Sequence, residues 1–293
     1  MNNFRIDDSV SFAIITPSYH PDFQRCQLLC RSIERFLKPP FHHYIAVEKR
    51  DFKLFSQLQN DVTDIVLVED LLPPWIFRVP KLRRAWLSLK TLPIRNWIMQ
   101  QITKISLARE VNETVLIFLD SDEMFIRPFD LRTLVKGDLV RFYSEPGGNP
   151  IGMDTPHELW HQSASKLLGL EPTPMPAPDY IADIITWKKD NVLSMCEYIE
   201  YSTDKSWLRA LSQTWHLSEY TLYGTYIDRI LGAKSGHYSD SIKILNSYYH
   251  SSSMSEEELV DFVKSTRPEH VAIMISAKAK MAVERYASLL KLD

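Results

Sequence analysis

Four short runs of β-branched and aliphatic residues alternate with turns and helical patterns over the first 122 residues, and that alternation limits the fold more than any other feature. "FAIITPSY" (12–19) reads as a buried strand ending at Pro17, "HYIAVEK" (43–49) as a second, "DIVLVED" (64–70) as a third and "TVLIFLDSD" (114–122) as a fourth. Between the first two, "PDFQRCQLLCRSIERFL" (21–37) sets Phe23, Cys26, Leu29, Cys30, Ile33 and Leu37 at the helical period, with Pro21 suited to its first turn. "DFKLFSQLQ" (51–59) predicts a short helix. "LPIRNWIMQQITKISLARE" (92–110) predicts a long one, with Ile94, Trp97, Ile98, Ile102 and Ile105 on one face. Strands that are apolar on both faces and separated by helices predict an α/β fold with a mostly parallel sheet covered on both sides. Ligands of such sheets bind at the carboxyl ends of the strands.

The fourth strand ends on Asp120 and Asp122. Two carboxylates one residue apart point to opposite faces of a strand, but they can converge where the chain turns at its end. Oxygen-only ligands select a hard divalent ion, Mn²⁺ or Mg²⁺, that keeps positions open for phosphate oxygens. The plain alternative is a surface turn in which Asp122 caps the next segment. The preceding stretch favours the ion. From Leu71 to Arg109 there is no acidic residue, while Arg78, Lys81, Arg83, Arg84, Lys90, Arg95, Lys104 and Arg109 fall within it. A positive segment leading to two carboxylates and a metal suits a diphosphate; a solvated basic face is the alternative. Gln100, Gln101 and Lys104 share one side of the helix.

The second half is less regular. "DLVRFY" (138–143) predicts a strand, "EPGGNP" (145–150) a turn and "PHELWHQSASKLLGL" (156–170) a helix. "EPTPMPAPD" (171–179), with four prolines, predicts an extended surface loop. Helices are expected at 188–201 and 219–231, and a late strand at "SIKILNSYYH" (241–250). The tail from 255 reads as helical, with "SEEELVDFV" opening like a capped helix. No domain boundary is visible, so one domain is expected over 1–293. A net charge of -3 argues against a nucleic-acid partner. No run approaches a membrane span, and "MNNFRIDDSV" has no signal-peptide pattern. Three cysteines form no even framework, and Cys26 and Cys30, four apart, read as packing residues. A cytoplasmic location is the expectation.

Taken in order, "TPSY", "WIMQQITKISLA", "VLIFLDSDEMFIRPFD" and "SEYTLYG" (218–224) resemble glycosyltransferases of the GT-A fold. They are more closely similar to a bacterial family of uncharacterised glycosyltransferase-like proteins with a W-x-x-Q-Q-x-x-K helix before the D-x-D strand. The resemblance covers most of the chain, and the ordered set is more specific than D-x-D alone. It implies a GT-A-like, Rossmann-like sheet, with 1–135 binding a nucleotide sugar and a more helical 136–293 binding the acceptor. The implied activity moves a sugar from a UDP- or GDP-linked donor to a glycan or lipid-linked acceptor in bacterial surface polysaccharide synthesis, with inversion. By the same resemblance Asp122 binds the metal, and Asp120 binds the metal or the donor. Thr16, Pro17, Ser18, Tyr19, Arg84, Trp97, Gln101, Lys104 and Ser121 belong to the donor side. Glu219 stands at the acidic position near the acceptor and is the expected base, with Ser218 capping its helix. A late histidine completes the metal set: His250 first, His237 second. The pattern departs at Asn96, where the family has glycine.

Other readings compete. "HELWH" (157–161) satisfies the H-E-x-x-H pattern of zinc peptidases, with His157 and His161 on one helix face and Glu158 as base. A degenerate relative would bind a nucleotide or glycan without turnover. A phosphatase with an aspartate nucleophile fits less well, because Met124 stands where Thr or Val is usual. "WIFRVPKLRRAWLSLK" (75–90) mixes Trp75, Phe77, Trp86 and Leu87 with five basic residues. It suits either peripheral contact with an anionic membrane or a flap folded over the donor site.

Overall fold

The computed structural model describes residues 10–79, 85–150 and 156–290. Arg84, Lys81 and Arg83 lie outside the described residues. In chain order the elements that build the site are β1 (Phe12–Pro17), α1 (Phe23–Phe36), β2 (His42–Val47), β3 (Thr63–Leu67), α2 (Asn96–Glu110), β4 (Val115–Phe118), β5 (Glu123–Phe125) and β6 (Leu139–Tyr143). They continue with α3 (His157–Leu167), β7 (Ile185–Lys188), α4 (Lys189–Thr203), α5 (Glu219–Tyr226), β8 (Leu245–Tyr248) and β9 (Ala272–Ile275).

The central sheet runs in the order β7-β4-β1-β2-β3. The four strands of the first half are parallel, and β7 is antiparallel to β4. This is the expected α/β fold with a mostly parallel sheet between helices. Every residue of β1 is buried, because both of its faces are covered. Phe12 and Ile14 pack with Leu29 and Ile33 of α1. Ala13 and Ile15 pack with Ile98, Ile102 and Ile105 of α2 and with Val192, Met195 and Ile199 of α4. A strand buried on both faces reads as an unbroken apolar run, and each aliphatic side chain so enclosed stabilises the fold by about 1.5–3 kcal/mol.

Three expectations are corrected. "EPGGNP" forms a strand, Glu145–Asn149, paired antiparallel with Ala177–Asp179, which lies in the proline-rich segment read as a surface loop. Prolines there reach a sheet edge, where a missing N–H costs little. The tail after 255 is not wholly helical. Its helix Glu256–Lys264 does open with the Ser255 capping box, but β9 follows it. β9 pairs antiparallel with β5 and parallel with β8, so the late chain is laid against the segment just after Asp122. β7 was not foreseen at all. Of the other elements, the helices expected at 92–110 and 156–170 are found as α2 and α3, and the late strand as β8.

Candidate active site

Asp120, Ser121 and Asp122 leave the end of β4 and turn across the carboxyl ends of the parallel strands. They form one wall of a cleft of about 450 Å³, together with Pro17, Ser18, Tyr19 and Asp22 from the end of β1. Ala46, Glu48 and Arg50 come from the end of β2, and Val68 from the end of β3. Asn96, Trp97, Met99, Gln100 and Thr103 of α2, with Arg78 and Trp86, close the opposite side.

Each functional side chain is held. The Ser121 hydroxyl donates to Ser18 Oγ at 2.8 Å, tying the turn to the end of β1. Ala277 N donates to Asp122 Oδ2 at 2.9 Å, and Ile275 N donates to Asp122 O at 3.2 Å. The late strand β9 thus fixes Asp122. Burial, and then the charge of Asp120, pushes the Asp122 carboxyl up to about 6.

Asp120 lines the same cleft and turns one carboxylate oxygen toward α2. Its Oδ1 lies 3.2 Å from Lys104 Nζ, an ion pair by distance without hydrogen-bond alignment. Lys104 is buried and also meets Glu219 Oε1 at 3.0 Å and the Tyr220 hydroxyl at 2.8 Å. Burial alone would favour a neutral amine. Asp120, Tyr220 and Glu219 outweigh it and hold the Lys104 pKa well above the usual lysine value. Gln101 Oε1 accepts from Glu219 N at 2.7 Å. Gln101 and Lys104 therefore anchor the start of α5 from beneath rather than line the cleft. Ser218 caps α5 as expected, accepting from Thr221 N at 3.2 Å.

Pro17, Ser18, Tyr19, Trp97, Asp120, Ser121 and Asp122 come together at the cleft. Thr16 does not. It is fully buried, and its hydroxyl meets His43 Nε2 at 3.0 Å inside the core. The base role expected of Glu219 meets an obstacle: its side chain is 3% exposed and spent on Lys104. Both ring nitrogens of His237 are engaged, Nδ1 with Val140 O at 2.9 Å and Nε2 with the Tyr223 hydroxyl at 2.7 Å. His250 lies just past β8, exposed, with its ring against Tyr248 at 4.8 Å.

Four residues of the site were not read from the sequence. Asp183 precedes β7, and Ile185 pairs with Phe118, so Asp183 runs beside the aspartates that follow β4. It accepts from the Tyr249 hydroxyl at 2.8 Å and from Ser247 Oγ at 3.2 Å. Burial raises it to about 6, opposed by the Tyr249 bond and reinforced by Asp120. Ile184, next to it, has φ 55°, a left-handed conformation that a β-branched residue adopts only under constraint. Asp22, Glu48 and Arg50 follow the ends of β1 and β2, where the carboxyl-end rule would have found them.

The cleft is electrically divided. At one end Glu48 gathers two guanidiniums: Arg78 Nη2 at 2.6 Å and Nε at 3.0 Å, and Arg50 Nε at 3.1 Å. At the other end stand Asp22, Asp120 and Asp122, with Glu123 and Asp183 behind them. Glu123 is buried and its pKa is driven well above the carboxylate range by burial, then by Asp183, Asp120 and Asp122. Its Oε2 has no hydrogen-bond partner. Such crowding fits a divalent cation. Among the described residues no three acidic, imidazole or thiol groups are close enough to hold one alone, so Asp120 and Asp122 would share the ion with ligand oxygens and water.

The competing motifs find other uses. His161 is buried, with Nε2 at 3.0 Å from Pro178 O. His157 packs its ring on Trp160 at 4.7 Å. Among the described residues these histidines join no group of three that could hold a metal ion. In 75–90, Trp86 is buried and carries Arg78 over its ring at 4.8 Å. Both line the cleft, whereas Phe77 and Leu89 of the same stretch are exposed.

The site is thus a cleft at the carboxyl edge of a mostly parallel α/β sheet, with paired aspartates at one end and two guanidiniums that share Glu48 at the other. The chain belongs to the family of unknown function DUF6492, whose model matches residues 9–273. No curated protein matches it. Among solved structures the chain is similar to the apo form of mouse xyloside xylosyltransferase 1, at 11% identity and a TM-score of 0.47, over 90% of this chain and 97% of that one. Among the described residues no helix is long and apolar enough to cross a membrane.

Proposed function

We propose that this protein is a metal-dependent glycosyltransferase that takes a nucleotide sugar in the cleft and passes the sugar to a glycan or lipid-linked acceptor. The observation that carries this is the division of one cleft into a carboxylate end at Asp120 and Asp122 and an end where the guanidiniums of Arg50 and Arg78 share the single carboxylate of Glu48. Asp122, fixed by Ala277, and Asp120, fixed by Lys104, would hold Mn²⁺ or Mg²⁺. The ion would supply Lewis-acid stabilisation of charge on a leaving diphosphate. Ser18 and Ser121 hold the turn that carries both aspartates. Tyr19 and Trp97 offer ring faces for base or sugar. The proton of an acceptor hydroxyl needs an accessible carboxylate. Asp183, beside Asp120 and bound by the Tyr249 hydroxyl, is half-buried and so closer to that need than Glu219, which Lys104 and Gln101 keep buried.

Calorimetric titration of UDP and GDP with and without MnCl₂ tests the reading. Binding of one of them is expected only with the metal, and Asp122→Asn is expected to abolish the metal dependence. Absence of binding of either nucleotide with Mn²⁺ and with Mg²⁺ would overturn it. A panel of nucleotide sugars, followed for metal-dependent hydrolysis, then identifies the donor.

A further inference from the structure

Beyond the charged cleft lies a ledge of aromatic rings that donor binding does not use in full. Trp97 lines the cleft yet is 48% exposed. Its Nε1 donates to Leu217 O at 3.1 Å, which fixes the ring by its edge. Trp160 of α3 lies near it, with ring centroids 6.4 Å apart and planes 17° from parallel. The segment that holds Trp97 also carries Trp215, which is 61% exposed. Arg95 stacks its guanidinium on the Trp215 ring at 4.0 Å and donates to the Trp215 carbonyl. Trp97 is thus held by its indole N–H, Trp215 by Arg95, and Trp160 by its packing on His157 and Trp97, while Trp97 and Trp215 stay about half open.

Large apolar rings left open beside a polar cleft point to a ligand that covers them. The chemistry of the surroundings selects among ligands. An acyl chain seeks aliphatic walls, whereas Asn96 and Gln100 line the cleft beside Trp97. A nucleobase in the cleft reaches Trp97 but leaves Trp160 and Trp215 bare. A pyranose presents a face of slightly positive C–H groups to the negative face of an indole, while its hydroxyls point to the rim. Trp97 belongs to both cleft and ledge, so a sugar chain lying along the ledge ends beside Asp120 and Asp122.

We propose that Trp97, Trp160 and Trp215 form an acceptor platform for a linear oligosaccharide, with Trp215 at its outer end; this rests on the glycosyltransferase reading. The test uses saturation-transfer NMR and tryptophan fluorescence with cellotetraose, maltotetraose, chitotetraose and mannotetraose. Wild type, Trp215→Ala and Trp215→Phe are compared, with UDP and GDP titrated in MnCl₂ alongside. At least one tetrasaccharide is expected to bind. Trp215→Ala should weaken it about three- to tenfold, the worth of one aromatic contact, and Trp215→Phe should restore most of the loss. Nucleotide affinity should not change. The platform is overturned if no tetrasaccharide receives saturation, if Trp215→Ala binds as wild type does, or if that variant weakens nucleotide and sugar alike. Failure of the nucleotides to bind wild type would instead strike the donor reading, and the sugar titration would still decide the platform.

Discussion

Lys104 Nζ lies 3.0 Å from the Glu219 carboxylate, and the two side chains are 4% and 3% exposed. The same ammonium reaches Asp120 at the cleft. Lys104 therefore links the helix start that carries Glu219 to the turn that carries the paired aspartates. Removing one member of such a pair leaves an uncompensated buried charge. Lys104→Met is expected to cost about 3–5 kcal/mol. Glu219→Gln combined with it should recover a large part, since no buried anion then remains on α5. Urea denaturation of the two single variants and the double variant gives the coupling. Additive losses would show that the pair does not act as a unit.

The Asp122 pKa makes the site a stability cost. Its folded value is raised from 3.8 to about 6, so the fold favours the protonated acid. The associated stability is fully present below about pH 4 and lost as pH rises through about 6. Asp122→Asn should remove that loss, leaving the variant more stable than wild type at pH 7 by up to about 3 kcal/mol. Some slope will persist in the variant, because Asp183 titrates over the same range. MnCl₂ should raise the wild-type melting temperature more at pH 7 than at pH 5 and have little effect on the variant. Equal melting curves for the two proteins across this range would refute the crowding of carboxylates.

Gly224 shows how a motif can have a packing cause. A Cβ at this position would sit 2.2 Å from the Tyr180 ring. Tyr180 is buried, and its hydroxyl donates to Asp228 at 2.7 Å, so the ring cannot swing away. Alanine normally stabilises a helix relative to glycine by about 0.8–1 kcal/mol. Here Gly224→Ala is expected to destabilise by about 1–3 kcal/mol through overpacking. Thermal denaturation decides the sign, and a stabilised variant would mean that Tyr180 has room to move.

The parts of the site on long periodic elements were legible in the sequence. The apolar run 114–119 and the helix containing Gln101 and Lys104 gave the fourth strand, the aspartate pair and the basic approach. Short elements hid the rest. β7 has four residues, and without it Asp183 had no visible tie to Asp120. β9 sits in a tail that opens with a strong helix signal, so the contact of Ala277 with Asp122 was out of reach. Periodicity told which residues lie on one side of α2 but not what faces that side. Gln101 and Lys104 turn to Glu219, whereas Gln100 turns to the cleft. Thr16 was misplaced for a related reason: the strand end was found, but not that His43 and the core enclose its last polar side chain before Pro17.

The two carboxylates that compete for the role of base can be separated. Asp183 is tied to hydroxyl groups, Tyr249 at 2.8 Å and Ser247 at 3.2 Å, and Tyr249 itself is exposed. An acceptor hydroxyl that took the place of one of these would meet this carboxylate directly. At about 6 its pKa lies near that of an effective base at neutral pH. Glu219 is paired with an ammonium deep under the cleft, and a proton delivered there would leave Lys104 with one anion fewer in a buried site. Asp183→Asn is therefore expected to lower transfer by about two to four orders of magnitude, with donor and metal affinity kept. Glu219→Gln should act more weakly and through stability, with activity restored at lower temperature. Direct displacement predicts a product of inverted configuration, read by NMR. Near-normal transfer by Asp183→Asn, together with a temperature-independent loss in Glu219→Gln, would return the base role to Glu219.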